Sequence, residues 1–399
     1  MSEELTHARS RPWLRNVVAA TLVRFGARLG LAWIGLLVLV ATFAPLLANS
    51  RPLYLVADGQ ASSPALLALS AEDWLWLGGF VLALVLACVP GRALTRVATW
   101  CAGVGVIAIA AYTLASSPGL TVHEQYRELA AQGEVERVVW APIPYSAKDY
   151  LRDYGDTGIE APLLGLDAGR THWLGTEENG ADVAARMIHA SRIALGIGFV
   201  ATGIALVIGT IVGGLMGYFS GVADIIGMRV VEIFEAIPTL FLLLTFVAFF
   251  GRSIYMMMFI IGITSWSGYA RYVRAEFLKL REQDFVQAAV ACGLPLRSIL
   301  FRHMLPNGIA PLLVAASFGV ASAILAEATL SFLGLGLVDD PSWGQMLNQA
   351  VQSSTFNWWL AVFPGGAIFF TVFAYNLIGE ALRDAVDPHT RHGAGRSRS

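Results

Sequence analysis

Few residues in this chain could do chemistry. The only lysines are Lys148 and Lys279, and neither closes a G-x-x-x-x-G-K-[ST] loop, so no site for nucleotide phosphates is encoded. No Ser/His/Asp order, HExxH or CxxC points to an enzyme, and Cys88, Cys101 and Cys292 lie too far apart to suggest a disulfide framework or a zinc set. Asp149, Asp153 and Asp156 hint at a cation but lack the D-x-D-x-D-G spacing, so a solvated acidic face is the better reading. Glu327 sits inside an apolar run, where an ionisable side chain is a functional candidate by default. It could relay a proton, or serve gating or structure as a hydrogen-bonded group. Gly209, Gly213 and Gly217 recur every fourth residue, leaving one helix face bare enough for another backbone to approach.

The most informative stretch is Asp284–Asn307, DFVQAAVACGLPLRSILFRHMLPN. Phe285, Ala288, Ala289 and Cys292 follow i, i+3, i+4, i+7 and predict one narrow apolar stripe. Gly293 reads as a helix stop and Pro295 as the first position of a new helix, where its missing amide proton costs nothing. Leu296, Ile299 and Leu300 form a second stripe that Pro306 ends. The spacing predicts a helix–break–helix on a membrane surface, with small alanines suited to a partner's groove. A plain amphipathic interfacial loop would read similarly.

These residues sit in a chain that must meet lipid. Of its 399 residues, 56% are hydrophobic and only 14% charged, with mean hydropathy +0.61. That is too little charge to cover a soluble surface. The net charge of -2 argues against a nucleic-acid partner. Runs long enough to span are Leu29–Ala48, Trp74–Pro90, Val97–Ala115, Ile193–Phe219, Val230–Gly251, Ser253–Ala270, Gly308–Val338 and Trp358–Gly379. The pair Trp74–Pro90 and Val97–Ala115 reads as an extra hairpin. Trp74, Trp76, Trp100, Trp358 and Trp359 fall near span ends and read as headgroup anchors.

Basic residues in short flanks orient the spans. Arg9, Arg11, Arg15, Arg24 and Arg28 place residues 1–28 in the cytoplasm as an N-terminal arm before a first span over 29–48. Arg92 and Arg96 place the turn Gly91–Thr95 of the inserted hairpin (49–115) inside as well. Residues 116–192, rich in acids, become an external segment. The remaining spans occupy 193–380, with a cytoplasmic loop at 271–307 and a tail at 381–399 carrying Arg383, Arg391, Arg396 and Arg398. Arg186, Arg192 and Arg252 fall outside, against this bias.

Gln287-Ala-Ala-x-x-x-Gly293, nine residues, then His303-x-Leu305-Pro306 resembles the EAA loop of ABC importer permeases, E-A-A-x-x-x-G, nine residues, I-x-L-P. Gln287 replaces Glu and His303 replaces Ile. The run HWLGTEENGADVAARMIHASRIALGIG from His172 is similar to the H-W-x-G-T-D-x-x-G-R-D-V-x-x-R opening of the dipeptide/oligopeptide branch, the DppC/OppC type. ARYVRAEFLKLREQDFVQAA from Ala270, AEATLSFLGLGLVDDPSWGQML from Ala326 and NLIGEALRDAVDPHTR from Asn376 resemble it too. Glu177 replaces the branch's Asp and Ala181 its Arg, which puts an external recognition role for that segment in question. Arg51–Asp167 is an insertion, and its Ala141–Ser146 (APIPYS) is similar to the external loop of YejE-type peptide and microcin permeases.

The resemblance implies an all-α integral membrane protein with the type I ABC importer permease fold: six family spans plus the extra hairpin and an external insertion. It implies a coupling loop at Asp284, Phe285, Gln287, Ala288, Ala289, Gly293, Arg297, Leu305 and Pro306 that seats in an ATPase subunit. The expected partners are a second homologous permease, two ABC ATPase subunits holding ATP and Mg, an external solute-binding protein, lipid and a peptide cargo. No cofactor is expected in this chain, and the location is the bacterial inner membrane. Nickel chelates or glutathione are alternative cargoes of the same branch. A proton-coupled carrier using Glu327 is the rival from another class.

Overall fold

The computed structural model describes residues 13–90, 93–114, 124–150, 159, 161–162, 171–337, 340–353, 355 and 357–386. Outside them lie Asp153, Asp156, Arg9, Arg11, Arg391, Arg396, Arg398, and Gly91 and Arg92 of the hairpin turn. In chain order the helices and strands begin with α1 (Trp13–Val23), α2 (Phe25–Thr42), α3 (Ala44–Leu47), β1 (Tyr54–Ala57), β2 (Gln60–Ser62) and α4 (Pro64–Leu67). There follow α5 (Ala71–Cys88), α6 (Ala93–Leu114), α7 (Gln125–Ala131), β3 (Arg137–Val139), α8 (Val183–Phe219), α9 (Gly221–Ala236), α10 (Thr239–Phe250) and α11 (Ile254–Arg281). The chain continues through α12 (Asp284–Ala291), α13 (Leu296–Ser298), a π-helical turn (Ile299–Met304), α14 (Leu305–Phe332), α15 (Trp343–Gln352) and α16 (Trp358–Val386).

Six described helices are long and apolar enough to cross a membrane: α2, α5, most of α6, α8, the continuous helix Leu296–Phe332, and α16. The expected straight span Val230–Gly251 is not formed. α9 and α10 meet there at 77°. Pro238 has no amide proton for the helix ladder and pushes Ile237 into extended backbone, φ −85 and ψ 120, so the helix breaks at that point. The span expected at Ser253–Ala270 belongs to a longer helix, α11, whose Arg271, Arg274, Lys279 and Arg281 extend it beyond the apolar run. Pro306, expected to end a helix, lies inside one. The π-helical turn just before it widens the backbone where the proline ring would otherwise crowd the preceding carbonyls.

Two compact units divide the chain: Met1–Gly35, Leu195–Leu330 and Ile368–Ser399 form one, and Leu36–Ala194 with Ser331–Ala367 the other. In the first, Met216, Val231, Trp266 and Ala270 build one core cluster. Trp33 donates from Nε1 to the Thr371 hydroxyl at 3.1 Å, and a Cβ added at Gly30 would lie 2.7 Å from the Ala374 carbonyl, so α2 and α16 are in near-backbone contact.

The second unit adds β-structure to the helical fold. β1 pairs antiparallel with β2 and β3, in the order β2-β1-β3, with Leu55 opposite Ser62 on one side and Val138 on the other. Residues 54–62 therefore share one sheet with residues 137–139. α5 and α6 pair antiparallel: Trp100 donates from Nε1 to the Gly79 carbonyl at 2.9 Å, and Gly78 admits Ile107 at close range. Asp149 is buried, pairs with Arg127 and accepts from Ser50 at 2.5 Å, so it is a structural carboxylate. Trp359, read as a lipid anchor, is buried in a core with Val183, Met346 and Leu360, and its Nε1 donates to the Thr176 carbonyl at 3.1 Å.

Candidate functional site

The loop helix α12 is short, and its ends explain its place. Gly293 takes φ +69, a conformation that favours glycine, and its N–H reaches the Val290 carbonyl at 2.9 Å. The Leu294 N–H reaches Ala289 at 3.2 Å, which completes a Schellman cap. Pro295, with φ −65 and ψ 146, caps the next helical turn from one position earlier than expected. At the start, the Gln287 amide donates to the Arg281 carbonyl at 2.9 Å and ties α12 to the end of α11.

The stripe read from the sequence is split by the fold. Val286 and Ala289, 1% and 6% exposed, pack with Val273, Phe277, Leu280, Ile299, Leu300 and Met304. Phe285, Ala288 and Cys292 lie on the outer face with Asp284 and Gln287. Both faces of α12 are apolar, so periodicity alone could not choose between them. The choice falls to Val286, whose bulk fills the space left by α11. Ala289 therefore belongs to the support and Ala288 to the exposed surface. Arg297 and Pro306 are exposed, and Leu305 packs at the edge of the same cluster.

Beneath the loop, α11 is lashed to its neighbours. Arg274 clasps Asp224 of α9 through two nitrogens, one of them at 2.6 Å, and Arg271 pairs with Glu235. Arg281 donates to the Ser220 hydroxyl. The sequence offered these arginines only as topology signals, because nothing local names a partner fifty residues away. Gly209, Gly213 and Gly217 all face α11. A Cβ at Gly209 would lie 2.9 Å from the Trp266 carbonyl, one at Gly217 2.7 Å from that of Arg274, and one at Gly213 would overlap Ala270. α8 and α11 therefore pack backbone to backbone along this face. Glu327 of α14 is buried at 2% exposure, with Ile324, Ala328 and Leu330 buried on the same helix.

The segment from His172 is also internal. His172 Nδ1 lies 2.8 Å from Asp182 Oδ2, and Asp182 Oδ1 accepts from the Ala185 N–H at 2.7 Å, capping α8. Glu177 and Ala181 are buried, and their backbones are joined by a 3.0 Å hydrogen bond. The two departures from the family pattern thus fall on a packed turn. His172 and Asp182 are positioning residues that fix how α8 begins.

The membrane-length helices among the described residues define a multi-pass membrane protein. Residues 195–392 match the family described as "Binding-protein-dependent transport system inner membrane component". The chain is 39% identical over 221 residues to the oligopeptide transport system permease protein OppC of Haemophilus influenzae, covering 55% of this chain and 71% of that one. It is 37% identical to the dipeptide transport system permease protein DppC of Alkalihalophilus pseudofirmus, covering 63% and 80%. To the glutathione transport system permease protein GsiD of Pectobacterium atrosepticum it is also 37% identical, covering 62% and 81%. The chain belongs to the binding-protein-dependent transport system inner membrane components, and it is a multi-pass protein of the bacterial inner membrane.

Proposed function

We propose that this chain is the permease subunit of an ATP-driven importer of peptides, with α12 as the helix that couples it to an ATPase subunit. The observation that carries the reading is the two-sided character of α12: one apolar face is committed to α11, and the other, bearing Phe285, Ala288 and Cys292, is open. The peptide cargo rests on the relatives, named for oligopeptide, dipeptide and glutathione transport. The complete transporter would contain a second homologous permease, two ATPase subunits that bind ATP and Mg, and an external solute-binding protein. ATP binding draws the ATPases together, α12 follows, and α11 with its glycine-packed partner α8 passes the movement to the gate. Such a shift requires that the ATPases bind the two gate states with different affinity.

Ala288→Asp tests this. It places a carboxylate on the open face, where docking would leave it unpaired at a cost of several kcal/mol. Pull-downs should recover at least about a hundredfold less ATPase, since each ~1.4 kcal/mol is tenfold, while the permease reaches normal abundance. Full recovery with full transport would sink the coupling assignment. Inactivating the ATPases should stop import, whereas Glu327→Gln should leave ATP-driven import measurable. Uptake by this chain alone, driven by a pH gradient, would instead establish the proton carrier.

A further inference from the structure

A recess of about 300 Å³ opens between α8, α11 and α14, a volume at the lower end of ligand-binding pockets. Its polar lining consists of hydroxyls: Thr202, Ser265, Tyr269, Tyr272 and Ser322. Among the described residues, no Asp, Glu, Lys, Arg or His side chain lines it.

The recess is built, not a gap between loosely packed helices. Tyr269 reaches from α11 across α14 toward Thr202 of α8, and both side chains lie against Gly319. It crosses at Gly319, where an added Cβ would overlap the tyrosine oxygen. One aromatic side chain thereby fixes the spacing of three helices. At the mouth Ser265, Tyr272 and Ser322 are exposed. Ser265 and Tyr272 lie two turns apart on one face of α11, and Ser322 stands on α14. A tyrosine at a membrane surface would account for Tyr272 alone. It does not account for serines on two helices opening into the same space, since polar side chains in membrane helices turn toward protein or water.

We propose that this recess is a passage subsite for cargo, which its hydroxyls contact at backbone amides. The inference rests on the peptide-importer reading and deepens it. Ser322 donates to the Phe318 carbonyl at 3.0 Å and can still accept from an amide N–H, while the Ser265 and Tyr272 hydroxyls can meet an amide N–H or C=O in either chain direction. A lining without charge gives no preference among peptide side chains of either sign. It also lacks the carboxylates and imidazoles that would hold a metal chelate by its metal.

The test uses the complete transporter in proteoliposomes, with Cys88 and Cys101 replaced by Ser and Cys292 left in place, its own labelling measured in that double variant and subtracted. Ser265→Cys and Ser322→Cys should react with a charged, membrane-impermeant methanethiosulfonate at least tenfold faster in one nucleotide state than in the other. Val207→Cys, exposed on α8 outside the recess, should not react. No reaction of either serine-site cysteine in any state would overturn the proposal, because the face would then be covered by lipid or protein. In a second arm, Ser322→Glu should raise uptake of Ala-Lys-Ala relative to Ala-Glu-Ala about tenfold over the wild-type ratio. An unchanged ratio with reactive cysteines would also overturn it, leaving a wet crevice that cargo does not touch. Reactive cysteines in a transporter that imports none of these tripeptides would keep the passage and remove the peptide reading.

Discussion

Arg192 of α8 holds Asp73, the third residue of α5, with its Nη1 2.5 Å from the carboxylate oxygen. The same guanidinium donates from Nε to the Ala41 carbonyl at 2.6 Å, at the end of α2. Asp73 also completes a capping box with Ser70. One side chain thus ties the inserted hairpin to two family helices. Both groups are nearly buried, at 10% and 12% exposure, so removing one strands the other at a cost of about 3–5 kcal/mol. Asp73→Ala should lower the thermal midpoint of the detergent-purified protein markedly. Asp73→Ala with Arg192→Met should recover part of the loss. Equal midpoints for Asp73→Ala and wild type would show that the clamp contributes nothing.

The glycine face of α8 makes a second prediction. Gly213→Leu pushes a side chain into the Ala270 carbonyl, and overpacking of this kind costs roughly 1–3 kcal/mol. Reduced thermal stability and reduced transport should follow together. Gly203→Ala, where an added Cβ meets nothing within 4 Å, should be neutral or slightly stabilising. Gly213→Leu with a wild-type melting curve would mean that the helices part without penalty.

At the head of α8, Asp182→Ala removes both the cap on Ala185 and the partner of His172. Loss of such a cap costs about 0.5–2 kcal/mol, and loss of the buried contact to His172 adds to it. Asp182→Asn keeps an acceptor for the Ala185 N–H and should retain most of the stability. Hydrogen exchange at the first turn of α8 is the direct measurement. Identical protection in the alanine and asparagine variants would remove the cap from the account.

Neighbouring alanines in α12 should behave differently. Ala289→Asp buries a carboxylate among Val286, Phe277 and Leu300 and should lower the abundance of the permease itself. Ala288→Asp should leave abundance intact and reduce only ATPase recovery. Gly293→Val forces a β-branched residue to φ +69, costing roughly 1–2 kcal/mol, and should loosen the end of α12. Immunoblots of membrane fractions beside the pull-downs separate these cases. Equal abundance of all three variants would contradict the packing described.

Much of this molecule was legible from local chemistry. Apolar runs long enough for lipid announce α2, α8, α14 and α16, because hydropathy summed over a helix does not depend on what the helix touches. The spacing Gln287–Gly293–Pro306 marks the loop, and Gly293 takes the positive φ that a helix stop of this kind uses. The every-fourth glycines foretold a close approach, though not that α11 would be the partner. The bend at Pro238 was written in the sequence as well, since a proline lacks a donor wherever it stands, but the apolar run around it hid the break.

What only the tertiary structure decided are choices between chemically equivalent options and pairings across long separations. Which apolar face of α12 is buried depends on the shape of the space above Phe277 and Leu280, and no periodicity encodes a shape. Asp73 and Arg192 lie 119 residues apart, and either could have paired elsewhere. Trp359 has the composition of a lipid anchor and ends in a core because Val183 and Met346 arrive beside it. The sequence by itself determined a membrane protein with a short amphipathic loop helix stopped at a glycine, because solvation and backbone preference act locally. The fold decided which residues face outward and which hold the others, because burial is a property of the neighbours a residue acquires.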